Sequence, residues 1–198
     1  MALCEPRASF LASLVAEPST GSILDVGSGN GFLSARLERR FGSTVALDLA
    51  REMLVRNPCR GRVRASAIVL PFGDDAFDVV ACSHLLHHLS VADRAAAVAE
   101  MTRVSRQAVV LYEPNRNNPM MFAFGLAVPE ERMALQFSLA YVASLLPPAG
   151  LVRCSARVEG TVLPNKTPAS LVPIMGALGR TPLRALGFYI RALGWKRQ

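Results

Sequence analysis

The chain has 198 residues, about half of them apolar and few aromatic, which fits one soluble globular domain with a sizeable core. No run nears the ~18 apolar residues that cross a bilayer. The apolar stretch "ASFLASLVA" is short and follows Glu5 and Arg7, so neither a leader nor a membrane span is expected, and the cytoplasm is. The four cysteines, Cys4, Cys59, Cys82 and Cys154, form no CxxC pair, which speaks against a disulfide framework or a structural zinc site. The net charge is +7, almost all of it arginine. It crowds at Arg51, Arg56, Arg60, Arg62 and Arg64 and in a tail that has no acid beyond Glu159. That tail could meet a phosphate-bearing partner or an anionic membrane surface, although solvated faces are the simpler reading.

In chain order, residues 6–16 read as a short helix. "SILDV" (22–26) reads as a buried strand, followed by a glycine loop. "GFLSARLERRFG" (31–42) carries Phe32, Leu33, Leu37 and Phe41 at helical spacing and stops at Gly42. "TVALD" is a second strand ending at Asp48, and 51–57 a helix closed by Pro58. Residues 63–69 read as a third strand or a strand-to-loop passage, 77–83 as a fourth strand, 91–104 as an alanine-rich helix and 107–114 as a fifth strand. Residues 115–129 read as a loop, 129–146 as a helix, 151–160 as a sixth strand, the stretch around 170–178 as a short helix and 186–195 as the last strand. Alternating apolar strands and helices predict a parallel sheet covered on both faces, and right-handed crossovers make it doubly wound. One domain over 1–198 is expected: a helical segment 1–20, a cofactor-binding half 21–114 and a substrate-side remainder 115–198.

"ILDVGSGNG" has the shape of a loop that lets backbone approach a cofactor. Gly27, Gly29 and Gly31 give GxGxG, but Phe32 stands where a dinucleotide fingerprint needs its third glycine. Asp25 precedes the first glycine, where a carboxylate suits a cationic amino group better than a pyrophosphate. Asp48, at a strand end, can accept from both hydroxyls of a ribose. These features argue against a nicotinamide-dependent dehydrogenase.

With these residues the chain resembles the class I S-adenosylmethionine-dependent methyltransferases of the small-molecule type. "ILDVGSGNG", "ALDLAREML", "LPFGDDAFDVVACSHLLHHL", "AEMTRV" and "VVLYEPN" follow in the family's order. The resemblance implies a Rossmann-like, seven-stranded α/β sheet, mostly parallel with the last strand antiparallel. It implies S-adenosyl-L-methionine as cofactor, with the backbone of Gly27, Ser28 and Gly29 along its methionine part. Asp25 would help to hold the amino group, directly or through water, and Asp48 the ribose. Leu49 and Met53 would flank the adenine, Ser66 and Ala67 would lie at its edge, and Ser83 would approach the methionine. Two departures stand out: Ser66 sits where the family often has an acid, and "SRQ" replaces a proline-glycine turn before the fifth strand.

Methyl transfer from a sulfonium needs orientation and a dry pocket, and a base only for an acceptor that must lose a proton. All three histidines lie in "HLLHHL", after the fourth strand. His87 and His88 are the candidates for orienting or deprotonating an acceptor; the competing reading is that they cap and pack the start of a helix. His84 and His88, four apart, could share a helix face toward a metal, but only Asp93 is near in sequence, so no metal is expected. Tyr112 and Glu113 point to the same cleft edge, Glu113 either as a substrate ligand or acid/base or as a strand-end carboxylate held by backbone amides. Met120, Met121, Phe122 and Phe124 are either core or the lining of an apolar substrate pocket. The acceptor is expected to be a small molecule, free or linked to a sugar or lipid. Nucleic acid is not expected, because there is no NPPY-like tetrad. A catalytically inactive cofactor-binding protein is the alternative.

Overall fold

The computed structural model describes residues 4–160 and 185–197. Among them the strands are β1 (Ser22–Val26), β2 (Ser43–Asp48), β3 (Gly61–Arg64), β4 (Phe77–Ser83), β5 (Ser105–Pro114), β6 (Leu151–Glu159) and β7 (Tyr189–Lys196). The helices are α1 (Cys4–Ala12), α2 (Ser34–Leu37), α3 (Arg51–Arg56), α4 (Val91–Val104), α5 (Pro119–Ala127) and α6 (Leu139–Ser144), with 3-10 turns at Leu86–His88, Pro129–Gln136 and Pro147–Ala149. The sheet runs β3-β2-β1-β4-β5-β7-β6. The first five strands in that order are parallel; β7 is antiparallel to both β5 and β6. The order reverses between β1 and β4, and in such sheets ligands bind beyond the strand ends at that point.

Successive strand residues point to opposite faces, and each face has its own core. Leu24, Val26, Val80, Cys82, Val109 and Leu111 pack against Ala97, Val98, Met101 and Val104 of α4 and against Phe137, Val142 and Leu146. Ile23, Val79, Ala81, Val110 and Tyr112 pack against Ala8 and Leu11 of α1 and against Leu33, Leu37 and Phe41. The parallel strands are therefore apolar on both sides, as buried parallel sheets require.

Several sequence expectations shift. The helix expected over 31–42 reduces to α2, because its amides alternate between partners three and four residues back: Arg36 donates to Leu33 O, Glu38 to Ser34 O and Arg40 to Leu37 O. The third strand stops at Arg64, level with the end of β2; beyond it Ala65 N donates to Asp48 O and the chain turns. The loop expected over 115–129 contains α5. Asn118 caps it by accepting from the Met120 and Met121 amides, and Pro119 opens it. The single helix expected over 129–146 is broken. Phe137 is buried, its carbonyl accepts from Arg116 N, and Ser138 caps α6 by accepting from Tyr141 N. The helix expected near 170–178 lies outside the described residues. In the basic tail, Arg191 is buried 2.7 Å from Glu159, and Lys196 donates to Asp75 and to the carbonyls of Arg103 and Ser105. Those two charges serve the fold. Among the described residues no helix is long and apolar enough to cross a membrane.

Candidate active site

The loop after β1 is fastened to β2. Gly27 N and Ser28 N both donate to Leu47 O, at 2.8 and 2.9 Å. Gly29 N donates to Asp48 Oδ2 and Ala50 N to Asp48 Oδ1, each at 2.8 Å. A carboxylate oxygen has two lone-pair sites, so both Asp48 oxygens keep acceptor capacity for a ligand. Asn57 closes the loop from the far side, with Nδ2 donating to Ser28 Oγ at 3.1 Å and to Gly29 O at 3.3 Å. A side chain at Gly29 would meet nothing within 4 Å, so the loop leaves open space there.

Asp25 lies behind the loop. It is only 1% exposed and accepts from Ser34 Oγ at 2.6 Å. Burial raises its carboxyl to about 6, against the pull of the Ser34 bond and with a smaller push from the Asp48 charge. Leu49 and Met53 are exposed beside Asp48, at 63% and 40%, apolar surface of the kind an adenine covers. Ser66 and Ala67 follow β3. The Ser66 hydroxyl accepts from Ile68 N at a long 3.4 Å, and Ala67 is buried.

Ser83, at the end of β4, accepts from Arg7 Nη1 at 2.7 Å. The guanidinium of Arg7 lies over the rings of Tyr112 and Tyr189, 4.7 and 4.5 Å from their centroids. Arg7 Nη2 and the Tyr112 hydroxyl are buried with no hydrogen-bond partner among the described residues. Two orphaned polar groups beside Ser83 mark a place for a polar ligand, since buried donors and acceptors are otherwise paired. Tyr112 was expected at the cleft edge; Arg7, 76 residues from Ser83, was not legible in sequence.

His84 takes a left-handed conformation, φ 57°, with its amide on Tyr112 O at 2.8 Å. That turn removes the helix face that His84 and His88, four apart, could have shared. Burial, with Arg7 nearby, pushes the His84 imidazole well below its usual range; His88 is lowered by burial and by His87. Glu113 is fully buried and spends both oxygens. Oε1 accepts from the amides of Leu85 (3.1 Å) and Leu86 (2.8 Å), and Oε2 meets His87 Nδ1 at 2.7 Å. The reading of Glu113 as a strand-end carboxylate held by amides therefore describes half of its work. The other half is to hold His87, which is 1% exposed, while His88 is exposed. Glu131, from the 3-10 turn after α5, stands 3.4 Å from His87 Nε2. Nothing local in the sequence announces it. Met120, Phe122 and Phe124 lie on α5 with nearly half their surface exposed, so they are not core.

The construction fits S-adenosylmethionine: a glycine with open space over it, a carboxylate at the second strand end, exposed apolar flanks, and orphaned polar atoms at the fourth strand end. Residues 24–112 match the family described as "Methyltransferase domain". The chain is 34% identical over 113 residues to the demethylmenaquinone methyltransferase of Mycobacterium tuberculosis strain H37Rv, covering 56% of this chain and 47% of that protein. It is 36% identical over 110 residues to the protein of the same name from Roseiflexus sp. strain RS-1, covering 52% and 45%. It thus spans about half the length of the curated relatives it matches. Among solved structures, a SAM-dependent methyltransferase from Archaeoglobus fulgidus superposes with a TM-score of 0.70 at 14% identity, over 98% of this chain and 94% of that one. Phosphoethanolamine N-methyltransferase 2 of Haemonchus contortus, in complex with S-adenosyl-L-methionine, gives 0.69 at 13% identity, over 98% and 53%. Residues 24–112 thus match a methyltransferase domain, set in a chain with the Rossmann-like fold of the class I S-adenosylmethionine-dependent methyltransferases.

Proposed function

We propose that the protein transfers a methyl group from S-adenosyl-L-methionine to a small-molecule acceptor, free or linked to a sugar or lipid, in the cytoplasm. The observation that carries this reading is the loop of Gly27–Gly31: Asp48 locks it from below while Gly29 leaves open space above. In this reading the backbone of Gly27, Ser28 and Gly29 lies along the methionine, and Asp48 accepts from the ribose with its spare lone pairs. Leu49 and Met53 flank the adenine, whose edge lies at Ser66 and Ala67. Ser83 faces the methionine, and Asp25 acts on the amino group through water, since Ser34 and the loop enclose it. The cofactor supplies its own leaving group, so the chain's task is to orient the acceptor and keep water out. His88, with His87 fixed behind it, is the side chain offered to the acceptor.

Because the relatives are named demethylmenaquinone methyltransferases, a quinone ring is the first acceptor we would try. The test is a calorimetric titration with S-adenosylmethionine and with NAD, then turnover to S-adenosylhomocysteine over quinol, sugar and small-phenol acceptors. Binding of S-adenosylmethionine and transfer to one acceptor class support the reading. Binding of neither cofactor, or of NAD alone, sinks it. Binding without transfer to any acceptor favours the inactive cofactor-binding alternative, for which Ser66 in place of an acid is the motivating residue.

A further inference from the structure

The imidazole of His87 is held between two carboxylates, and the two contacts are unequal. On one side Nδ1 lies 2.7 Å from Glu113 Oε2, the length of a charge-assisted hydrogen bond. Glu113 already accepts two backbone amides through Oε1, so its role is that of an acceptor, and a metal-binding imidazole here would carry its one proton on Nδ1. Nε2 then presents a bare lone pair. It faces Glu131 Oε2 at 3.4 Å, too long for the matching hydrogen bond of a doubly donating ring. Two lone pairs facing each other call for a cation between them. Ligand atoms on a tetrahedral zinc, bonded at ~2.0–2.1 Å, stand roughly 3.4 Å apart, which is the separation found here. The ring of His88 lies beside that of His87, 4.0 Å between centroids, and offers a third ligand. One atom each of His87, His88 and Glu131 lie within 4.8 Å of one another. His87 is buried and cannot swing away, whereas His88 is exposed and Glu131 half-buried, so the mobile ligands are the two that must close in. A carboxylate on the far nitrogen of a ligating histidine is the usual outer partner of such a site, and Glu113 occupies that place.

We propose that His87, His88 and Glu131 bind one divalent transition-metal ion, with zinc the best fit to two imidazoles and a carboxylate. Such a three-ligand site keeps a fourth position for an oxygen ligand, here on the exposed side of His88. The hydroxyl or carbonyl oxygen of an acceptor is the class of ligand that position takes; that second part rests on the methyltransferase reading.

The test uses the full chain, freed of metal by a chelator, with Cys154→Ser to remove the exposed thiol. Zn²⁺ is titrated calorimetrically and Co²⁺ by its visible absorption. The expected result is one equivalent per chain. His88→Ala and Glu131→Gln should each weaken binding by more than the ~100-fold upper end known for an outer partner, and Glu113→Gln by ~10–100-fold at unchanged stoichiometry. The glutamine keeps an acceptor for the Leu85 and Leu86 amides, so the fold should stand. Absence of stoichiometric binding, or binding indifferent to both His88→Ala and Glu131→Gln, overturns the site. S-adenosylmethionine affinity, measured on the same samples without metal, reads the methyltransferase proposal separately. Metal binding with no cofactor binding would remove that reading and leave the site standing.

Discussion

A Cβ at Gly31 would lie 2.1 Å from Asn57 Oδ1, whereas one at Gly29 would meet nothing within 4 Å. Asn57 is itself buried and tied by Cys59 N, Ser28 Oγ and Gly29 O, so it cannot yield. The two substitutions should therefore separate. Gly31→Ala is expected to lower the melting temperature whether or not cofactor is present. Gly29→Val should leave a folded domain, at a backbone cost of ~1–2 kcal/mol for its positive φ, and lose S-adenosylmethionine binding. Calorimetry on Gly29→Val showing wild-type affinity would mean that the loop does not approach the ligand. Asp48→Ala removes the ribose acceptor and is expected to weaken binding by about 1.5–3 kcal/mol, the scale for hydrogen bonds to a charged group. Asp25 behaves differently. Its carboxyl sits at about 6 in the fold against ~3.9 in an unfolded chain, so the native state binds the extra proton between those values. Stability therefore falls as pH rises through ~6, by up to roughly 3 kcal/mol from this group. Asp25→Asn should raise the melting temperature at pH 8, and the gain should shrink as pH falls toward 4. A variant less stable than wild type at pH 8 would contradict this.

At the scale of elements, Arg94 of α4 joins pieces that the sequence keeps far apart. It is fully buried, and Nε donates to the carbonyls of Leu86 and Leu89 in the histidine turn. Nη1 donates to Gln136 Oε1 at 2.7 Å and to the Tyr141 hydroxyl at 2.9 Å, and the guanidinium lies over the Phe137 ring. One side chain thus fixes the turn that carries His87 and His88 to the segment before α6 and to α6 itself. Arg94→Met keeps the volume and takes a donor from the Leu89 carbonyl, from Gln136 Oε1 and from the Tyr141 hydroxyl, whereas Leu86 O keeps the Leu89 amide; each buried group left unsatisfied costs ~1–3 kcal/mol. Urea denaturation should show a loss of several kcal/mol; a midpoint within error of wild type would deny Arg94 this role. The helix α4 itself was legible to the residue, because Ser90 and Asp93 make a capped start and the helical pattern runs unbroken to Val104. The helix α5 was not. Its sequence, PMMFAFGLA, is apolar on every side, so no period marks it. The Asn118-Pro119 pair that starts it reads equally well as a turn.

Across the whole molecule, Asp78 gathers the entries of three neighbouring strands. It accepts from the amide and hydroxyl of Ser22 at the start of β1, from Arg106 at 2.7 Å and from Gln107 at the start of β5, while sitting in β4. Burial opposes its charge, but the Ser22 bonds and Arg106 outweigh it and hold the carboxyl below the usual range. For a lowered carboxyl the stabilisation is present above ~3.9 and is lost as pH falls through the folded value. Asp78→Asn is expected to be destabilised relative to wild type at pH 7 and to converge with it once the pH falls below the usual carboxylate range; melting curves that stay parallel into acid would contradict the assignment. The slope is opposite in sign to that of Asp25, so the double variant should show a flatter profile than wild type between pH 3 and 7.

The sequence by itself determined the layered α/β architecture, the covered parallel sheet, the glycine loop and the two carboxylates at its first strand ends. Each of these is written locally: as apolar runs of strand length, as helical spacing, as glycines where a side chain would clash or block a ligand. It also placed His87 and His88 at the end of the fourth strand. Only the tertiary structure decided what those histidines do. The carboxylates on either side of His87 come from β5 and from a turn beyond α5, 26 residues away for Glu113 and farther for Glu131. The partner of Ser83 comes from the first helix. Such contacts join residues whose separation along the chain carries no period. The sheet that brings them together is specified by burial, which fixes which faces turn inward and leaves unmarked which polar groups will meet at its edge.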